Sequence, residues 1–510
     1  MPTPTANAAS RFLAQASMGA SRADISRVQA LGFAAWIEEQ LAAPRSGTRW
    51  DWLVEKGYSN ASFRNSEQGF DACAWRKLIS APDTLRQRVT LALSEICVVA
   101  ISGLVGAPWR SFSAAAYLDL LEEHAFGNYR NLLLAISTSA PMGQYLTFRG
   151  NVKQNPSTGA LPDENYAREI MQLFSIGLIQ LNLDGTPKLL NGNPQETYGL
   201  SDITGLARVF TGWDFDLNGT TKDTPDFLRR PMQQIARRHE TGASSFLGST
   251  VPAGMAGADA LRLAIDIIYA HPNVAPFISR QLIQKLVTSN PSPAYVARVA
   301  SVFNNDGRGV KGNLAAVVKA LLLDPEARNE SYINASYGKL REPILRLTGW
   351  ARAYHVSSAS DGWAIGNTSD AATRLGQSPL RSPSVFNFYR PGYVPPNSAI
   401  AKLGLVAPEF QLTNESSVVG YVNFMQRLIS RGIGDVLPDY SSLLPLAANA
   451  QVLLAEINQV LAAGQLGSAT LGLIRGALDT MPANSPAALN NRIYAALTMV
   501  MAAPEYLIQQ

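Results

Sequence analysis

The sequence predicts a mainly α protein, one large multi-helical domain with a small β-hairpin and a long polar insertion. Three observations predict it. Apolar residues recur at helical spacing through most of the chain. The runs they form are bounded by Gly, Pro, Asn or Ser, the residues that start and stop helices. Of 510 residues, 46% are apolar and only 16% charged, against a usual charged share of about a quarter, so much of the chain is interior.

The first ten residues read as a flexible tail, without the basic start and apolar stretch of a secretory signal. Residues 11–510 read as one unit. Over 9–42, Phe12, Leu13, Ile25, Val28, Leu31, Phe33, Trp36, Ile37 and Leu41 fall at helical spacing and predict two helices joined near residues 19–21. Helices follow over 66–79, 82–102, 111–125 and 129–137. Next comes 162–177, with Pro162 and acids in its first turn and Gly177 at its end.

Asp184 and Gly185, between two short apolar runs, predict a hairpin over 178–190. Ser201 and Asp202 cap a helix over 203–210, and residues 214–252 are a polar, irregular insertion. Helices resume over 258–269, 275–288, 293–303, 313–323 and 339–353. Residues 376–396, with their X-Pro pairs, are a second irregular insertion. The end is helical over 417–430, 448–463, 468–481 and 485–502, and no internal repeat is evident.

Charge and motifs exclude several functions. Lys and Arg exceed Asp and Glu by only 43 − 39 = 4, too weak a bias for nucleic acid. No transmembrane segment is expected, because the most apolar stretch, 89–105, is broken by Thr90, Ser94, Glu95 and Ser102. His124, His239, His271 and His355 are scattered, so no His/Cys metal centre and no cofactor is expected. A divalent metal on the carboxylates of Asp163, Glu164 and Asp202 stays open beside their ordinary role as caps. Gly307, Gly309 and Gly312 satisfy a dinucleotide fingerprint but follow a predicted helix, and read as a helix–helix turn. Cys73 and Cys97 sit among apolar neighbours and are expected as buried thiols rather than a disulfide.

The helix over 162–177 carries the densest polar chemistry. Asn165, Glu169 and Gln172 fall at i, i+4 and i+7 and make one stripe, flanked by Tyr166, Ile170, Leu173 and Phe174. Glu164 and Arg168 are an i, i+4 pair beside it. Such a stripe either lines a pocket, with Arg168 gripping an anion and Glu169 acting as base, or forms a buried network that fixes helix packing. His239, between Arg238 and Glu240, is the candidate acid–base histidine, weighed against a loop anchor. The segment 381–393 mixes Arg with Phe386, Phe388 and Tyr389, which stack a ligand or, the favoured reading, anchor a long loop in the core.

Seven stretches carry a family resemblance. They are Arg11-Phe12-Leu13-Ala14-Gln15-Ala16; Asp163-Glu164-Asn165-Tyr166-Ala167-Arg168-Glu169 with Gln172-Leu173-Phe174; Ala207-Arg208-Val209-Phe210-Thr211-Gly212-Trp213; Arg238-His239-Glu240 with Phe246-Leu247-Gly248; His271-Pro272-Asn273-Val274 with Phe277-Ile278; Leu340-Arg341-Glu342-Pro343; and Arg381-Ser382-Pro383-Ser384-Val385-Phe386-Asn387. On these the chain resembles a large bacterial family known as domain-of-unknown-function family 1800. The resemblance implies no catalytic residues. It implies a context, since members often carry export signals and often neighbour genes for sulfatase-like hydrolases. Two departures are the missing signal and Ser244-Ser245 where relatives often have Lys.

The leading expectation is therefore an envelope-associated or exported binding or accessory protein that works with a sulfatase-like partner on anionic polysaccharide. The alternative is a hydrolase or transferase whose pocket joins Glu169, Arg168 and His239. A structural subunit is the third reading.

Overall fold

The computed structural model describes residues 3–334 and 336–510. Among them are 23 α-helices, and the strands form only two-stranded antiparallel sheets. The expected tail is shorter than read: its first two residues lie outside the described ones, and a helix Ala6–Ala16 starts where Thr5 Oγ1 accepts the Ala8 N–H at 3.1 Å. Ala9, already within that helix, is wholly buried. The stretch 9–42 holds three helices, because Gly32 at φ +79° separates Arg22–Leu31 from Phe33–Ala42. That conformation is one only glycine adopts freely.

The centre of the fold is the helix Thr84–Ile96, every residue of which is buried. It packs against Phe33–Ala42, Phe70–Ser80, Arg110–His124 and Val274–Leu286. A helix surrounded in this way is usually apolar on all sides. This one instead carries Arg86, Gln87, Arg88 and Glu95 inward, so neighbouring elements must supply their partners. The C-terminal helices Glu415–Arg431, Ala450–Ala462, Ser468–Asp479 and Pro486–Ala502 pack on one another and close over the first helix and Pro343–Ala353.

The helix expected from residue 339 begins at Pro343 instead. Proline forces the preceding residue out of the helical region, so Lys339–Leu340 stays extended and pairs with Ile508–Gln509. The insertion over 214–252 is also more regular than expected. Trp213–Asp214 pairs with Gln233–Gln234, and Ser244–Phe246 pairs with Ser249–Val251 across a turn at Leu247 and Gly248, both at positive φ. That turn matches strand twist and so favours a hairpin. The hairpin lies on the helix Leu200–Val209 at Gly205, where a Cβ would meet the Ser245 carbonyl oxygen at 2.0 Å.

The polar helix is shorter than its sequence pattern. It runs Asn165–Gln172 and then unwinds: the Ile176 and Gly177 N–H groups both donate to the Met171 carbonyl at 3.0 Å, and Ser175 Oγ donates to the Ile170 carbonyl at 2.5 Å. Gly177 ends the turn at φ +71°, with the Phe277 ring 2.6 Å from where a Cβ would sit. From there the chain forms a small meander. Leu181 bridges Pro187 across the Asp184-Gly185 turn, Ile179 bridges Glu196 on the other side, and Leu189–Leu190 pairs with Asn193–Pro194.

Candidate functional site

One cluster of buried charge lies at the C-terminal end of the central helix. Glu95 Oε2 accepts from Lys285 Nζ at 3.0 Å and from the Tyr389 hydroxyl at 3.2 Å. The Gln377 amide Nε2 reaches Glu95 Oε1 at 3.4 Å and Glu342 Oε2 at 2.9 Å, tying the two carboxyls together. Lys339 Nζ lies 3.3 Å from Glu342 Oε1 and 3.0 Å from Glu409 Oε1. Arg88, wholly buried, donates to the Lys285 carbonyl at 2.6 Å, while its Nε and Nη1 have no partner.

Burial and the facing Glu342 push the Glu95 carboxyl up to about 8, with Lys285 pulling the other way. Burial also works against the charge of Glu342, but Lys339 holds its carboxyl well below the usual range. The pair is thus unequal.

Glu95 lines a cavity of about 420 Å³. Its walls are largely apolar, from Leu173, Ile179, Phe277, Val385 and Phe386, and the polar groups among them are few and placed: Gln172, Gln281, Gln284, Tyr389, Arg280 and Arg390. This size and mixture are those of small-ligand sites. Gln281, 8% exposed, keeps its Nε2 buried without a hydrogen-bond partner. Arg280 and Arg390 are exposed at the rim and make no salt bridge among the described residues. Arg390 lies over the Phe386 ring at 4.8 Å, and Arg280 reaches only the Gly185 carbonyl at 3.5 Å.

The residues singled out from the sequence are distributed otherwise. Gln172 lines the cavity and accepts from the Tyr198 hydroxyl at 3.4 Å. Glu164 and Arg168 meet at 3.6 Å, and Glu164 Oε1 accepts from Thr204 Oγ1 at 2.7 Å. Asn165 is exposed and donates to Thr147 Oγ1 at 3.3 Å. Glu169 is buried with no partner for Oε2; burial pushes its carboxyl up, and Arg168 opposes this.

His239 is 3% exposed and lies against Thr211, its Nδ1 3.2 Å from both the Thr211 hydroxyl and carbonyl oxygens. Burial pulls the imidazole down, while Thr211 and Glu240 pull it up. Arg238 bonds Asp214 Oδ2 at 3.0 Å, beside Arg149. Among the described residues His239 shares no hydrogen bond or salt bridge with Glu169 or Arg168, and none of the three lines the cavity.

The carboxylates considered for a metal are engaged as caps and anchors. Asp163 accepts from the Asn165 N–H at 2.8 Å and from Thr147 Oγ1 at 2.6 Å; Asp202 accepts from the Gly199 N–H at 2.8 Å and the Leu247 N–H at 2.7 Å. No group of three His, Cys, Asp or Glu able to hold an ion occurs among the described residues. Cys73 and Cys97 are free and buried, and burial pushes the Cys97 thiol up to about 12. No helix among the described residues is long and apolar enough to cross a membrane.

Sequence reasoning missed Glu95, Lys285 and Gln281 as site residues; they sit inside the predicted helices 82–102 and 275–288. The signal that was present is the charge on an otherwise apolar helix, Glu95 in 89–105. The loop 381–393 was singled out, and Tyr389 does anchor it in the core, while Phe386 and Arg390 face the cavity. No curated protein and no solved structure matches the chain. The match that exists is to a family described as "Protein of unknown function (DUF1800)"; it runs over residues 11–508, and the chain belongs to that family.

Proposed function

We propose that this is a binding or accessory protein that holds an acidic carbohydrate in the cavity beside Glu95. The observation that carries the reading is a largely apolar cavity rimmed by the guanidinium groups of Arg280 and Arg390, which have no salt-bridge partner among the described residues. Guanidinium groups bind carboxylate or sulfate through paired N–H donors. The Phe277 and Phe386 rings offer apolar faces to a sugar ring, and the glutamine amides suit its hydroxyls. A cavity of about 420 Å³ takes a short chain end rather than a polymer.

Export to the envelope and work beside a sulfatase-like hydrolase on anionic polysaccharide belong to the same reading, and family resemblance is their support. Against a hydrolase or transferase on Glu169, Arg168 and His239, His239 shares no hydrogen bond or salt bridge with the other two among the described residues. One observation favours a second reading: the preponderance of apolar wall also fits an acid with an alkyl body.

Calorimetric titration with digalacturonate, neutral digalactose and octanoate separates these. Saturable binding of digalacturonate, at least about tenfold tighter than digalactose, is expected. Preference for octanoate selects the second reading. Absence of binding by both acids contradicts the first and the second alike.

A further inference from the structure

The helix Val274–Leu286 forms one wall of the cavity with Phe277, Arg280, Gln281 and Gln284, which share a face at i, i+3, i+4 and i+7. Gln284 is only 5% exposed, and its amide is held in one orientation. Nε2 donates to the Ser289 carbonyl at 3.0 Å and to the Pro391 carbonyl at 3.4 Å, so each of its two hydrogens has an acceptor. Turning the amide over would set its oxygen against both carbonyls and leave them without that donor. Oε1 is thereby fixed on the side away from them. It accepts from no group among the described residues, yet its neighbours do not seal it off. The cavity thus holds guanidinium donors at its rim and an acceptor without a donor deeper in its wall. Along the helix axis Gln284 lies about 6 Å beyond Arg280.

We infer that Gln284 is the specificity-determining residue of the site, its Oε1 accepting a hydrogen bond from a free hydroxyl of the sugar whose acid group is held at Arg280 or Arg390. The inference rests on the proposed binding of an acidic carbohydrate. A separation of about one helical turn lets a single sugar residue make both contacts. An alkyl chain, or a ring acid without hydroxyls, fills the same space but covers the oxygen without offering it a proton, and a buried polar atom left unpaired is penalised. A site built to hydrogen-bond a hydroxyl rejects the analogue that lacks it. Gln284 also holds the loop wall through the Pro391 carbonyl, so its test must separate reading the ligand from holding the wall.

The experiment is calorimetry with digalacturonate and with cyclohexanecarboxylate, a ring acid without hydroxyls, on the unaltered protein and on Gln284→Met, which keeps the reach of the side chain and removes the acceptor. Gln284→Met is expected to weaken digalacturonate about tenfold and to leave cyclohexanecarboxylate within about twofold. Equal loss of both acids would show that Gln284 only holds the wall, and unchanged digalacturonate affinity would show that its oxygen meets no hydroxyl. Either result overturns the inference while leaving carbohydrate binding standing. If the variant does not fold, or the ring acid binds too weakly to titrate, a crystal structure of the unaltered protein with digalacturonate decides. A ligand hydroxyl about 2.7–2.8 Å from Oε1 is expected, and an Oε1 that faces no ligand hydroxyl overturns the inference. No binding of digalacturonate to the unaltered protein overturns both this inference and the reading it rests on.

Discussion

Two clusters of buried charge lie at opposite ends of the central helix, and they are built differently. At the N-terminal end, Glu122 is saturated. Its Oε1 lies 2.9 Å from Lys77 Nζ and its Oε2 2.6 Å from Arg49 Nη1, while Arg49 also binds Asp119 at 3.1 Å and Gln87 at 3.0 Å. Burial opposes the Glu122 charge, but Arg49 and Lys77 hold its carboxyl down at about 2. At the C-terminal end, burial and the facing Glu342 push the Glu95 carboxyl up, and Glu95 borders a cavity. Buried charge by itself therefore does not mark a site. A cluster whose carboxylate is fully matched and enclosed locks helices together, whereas one that borders a void leaves room for something to enter.

The comparison can be broken at several points. The largest effect is expected from Glu122→Gln, which leaves Arg49 and Lys77 buried without their carboxylate; urea unfolding should show a loss of about 3–5 kcal/mol. A loss below about 1 kcal/mol would remove the matched cluster from the account. Next, Arg280→Gln with Arg390→Gln should cost acidic-ligand affinity at least about tenfold, each lost charge-assisted bond being worth about 1.5–3 kcal/mol. The melting temperature should hardly move, since neither side chain has a carboxylate partner.

A third, smaller effect concerns pH. Because burial and the facing Glu342 raise the Glu95 carboxyl above its unfolded value, that group's contribution is complete below the ordinary carboxyl range and is lost as pH rises through about 8. Glu342 has the opposite sign, and its contribution is lost only as pH falls below that range. Stability should therefore fall between about pH 5 and about pH 9 more steeply in the unaltered protein than in Glu95→Gln. Parallel curves would show that Glu95 is charged in the fold. The smallest effect is expected for Glu169→Gln, where a carboxyl without a partner for Oε2 becomes an amide: stability within about 1 kcal/mol and unchanged ligand affinity.

Much of the fold was legible because helix punctuation is local. The predicted 293–303 is the helix Pro293–Asn304, and 485–502 is Pro486–Ala502, each opened by a proline at its first turn. Boundaries failed where a single residue overrode periodicity, as Gly32 did by splitting one predicted helix and Pro343 by delaying another. The site was far less legible. Its walls come from residues 95–96, 172–181, 277–284 and 385–392, which only the folded chain brings together. The stripe Asn165, Glu169 and Gln172 was a correct reading of helical spacing, but spacing does not say what each position faces. Asn165 turns to Thr147, Glu169 is buried and Gln172 alone reaches the cavity.

The central claim is that the functional surface is the cavity beside Glu95 rather than the exposed face of Asn165 and Arg168. A crystal structure of the protein with digalacturonate tests it most directly. The expected result is a sugar ring between Phe277 and Phe386 with its acid group against Arg280 or Arg390. A disaccharide bound instead against Arg168 and Asn165, with the cavity left unchanged, would contradict it.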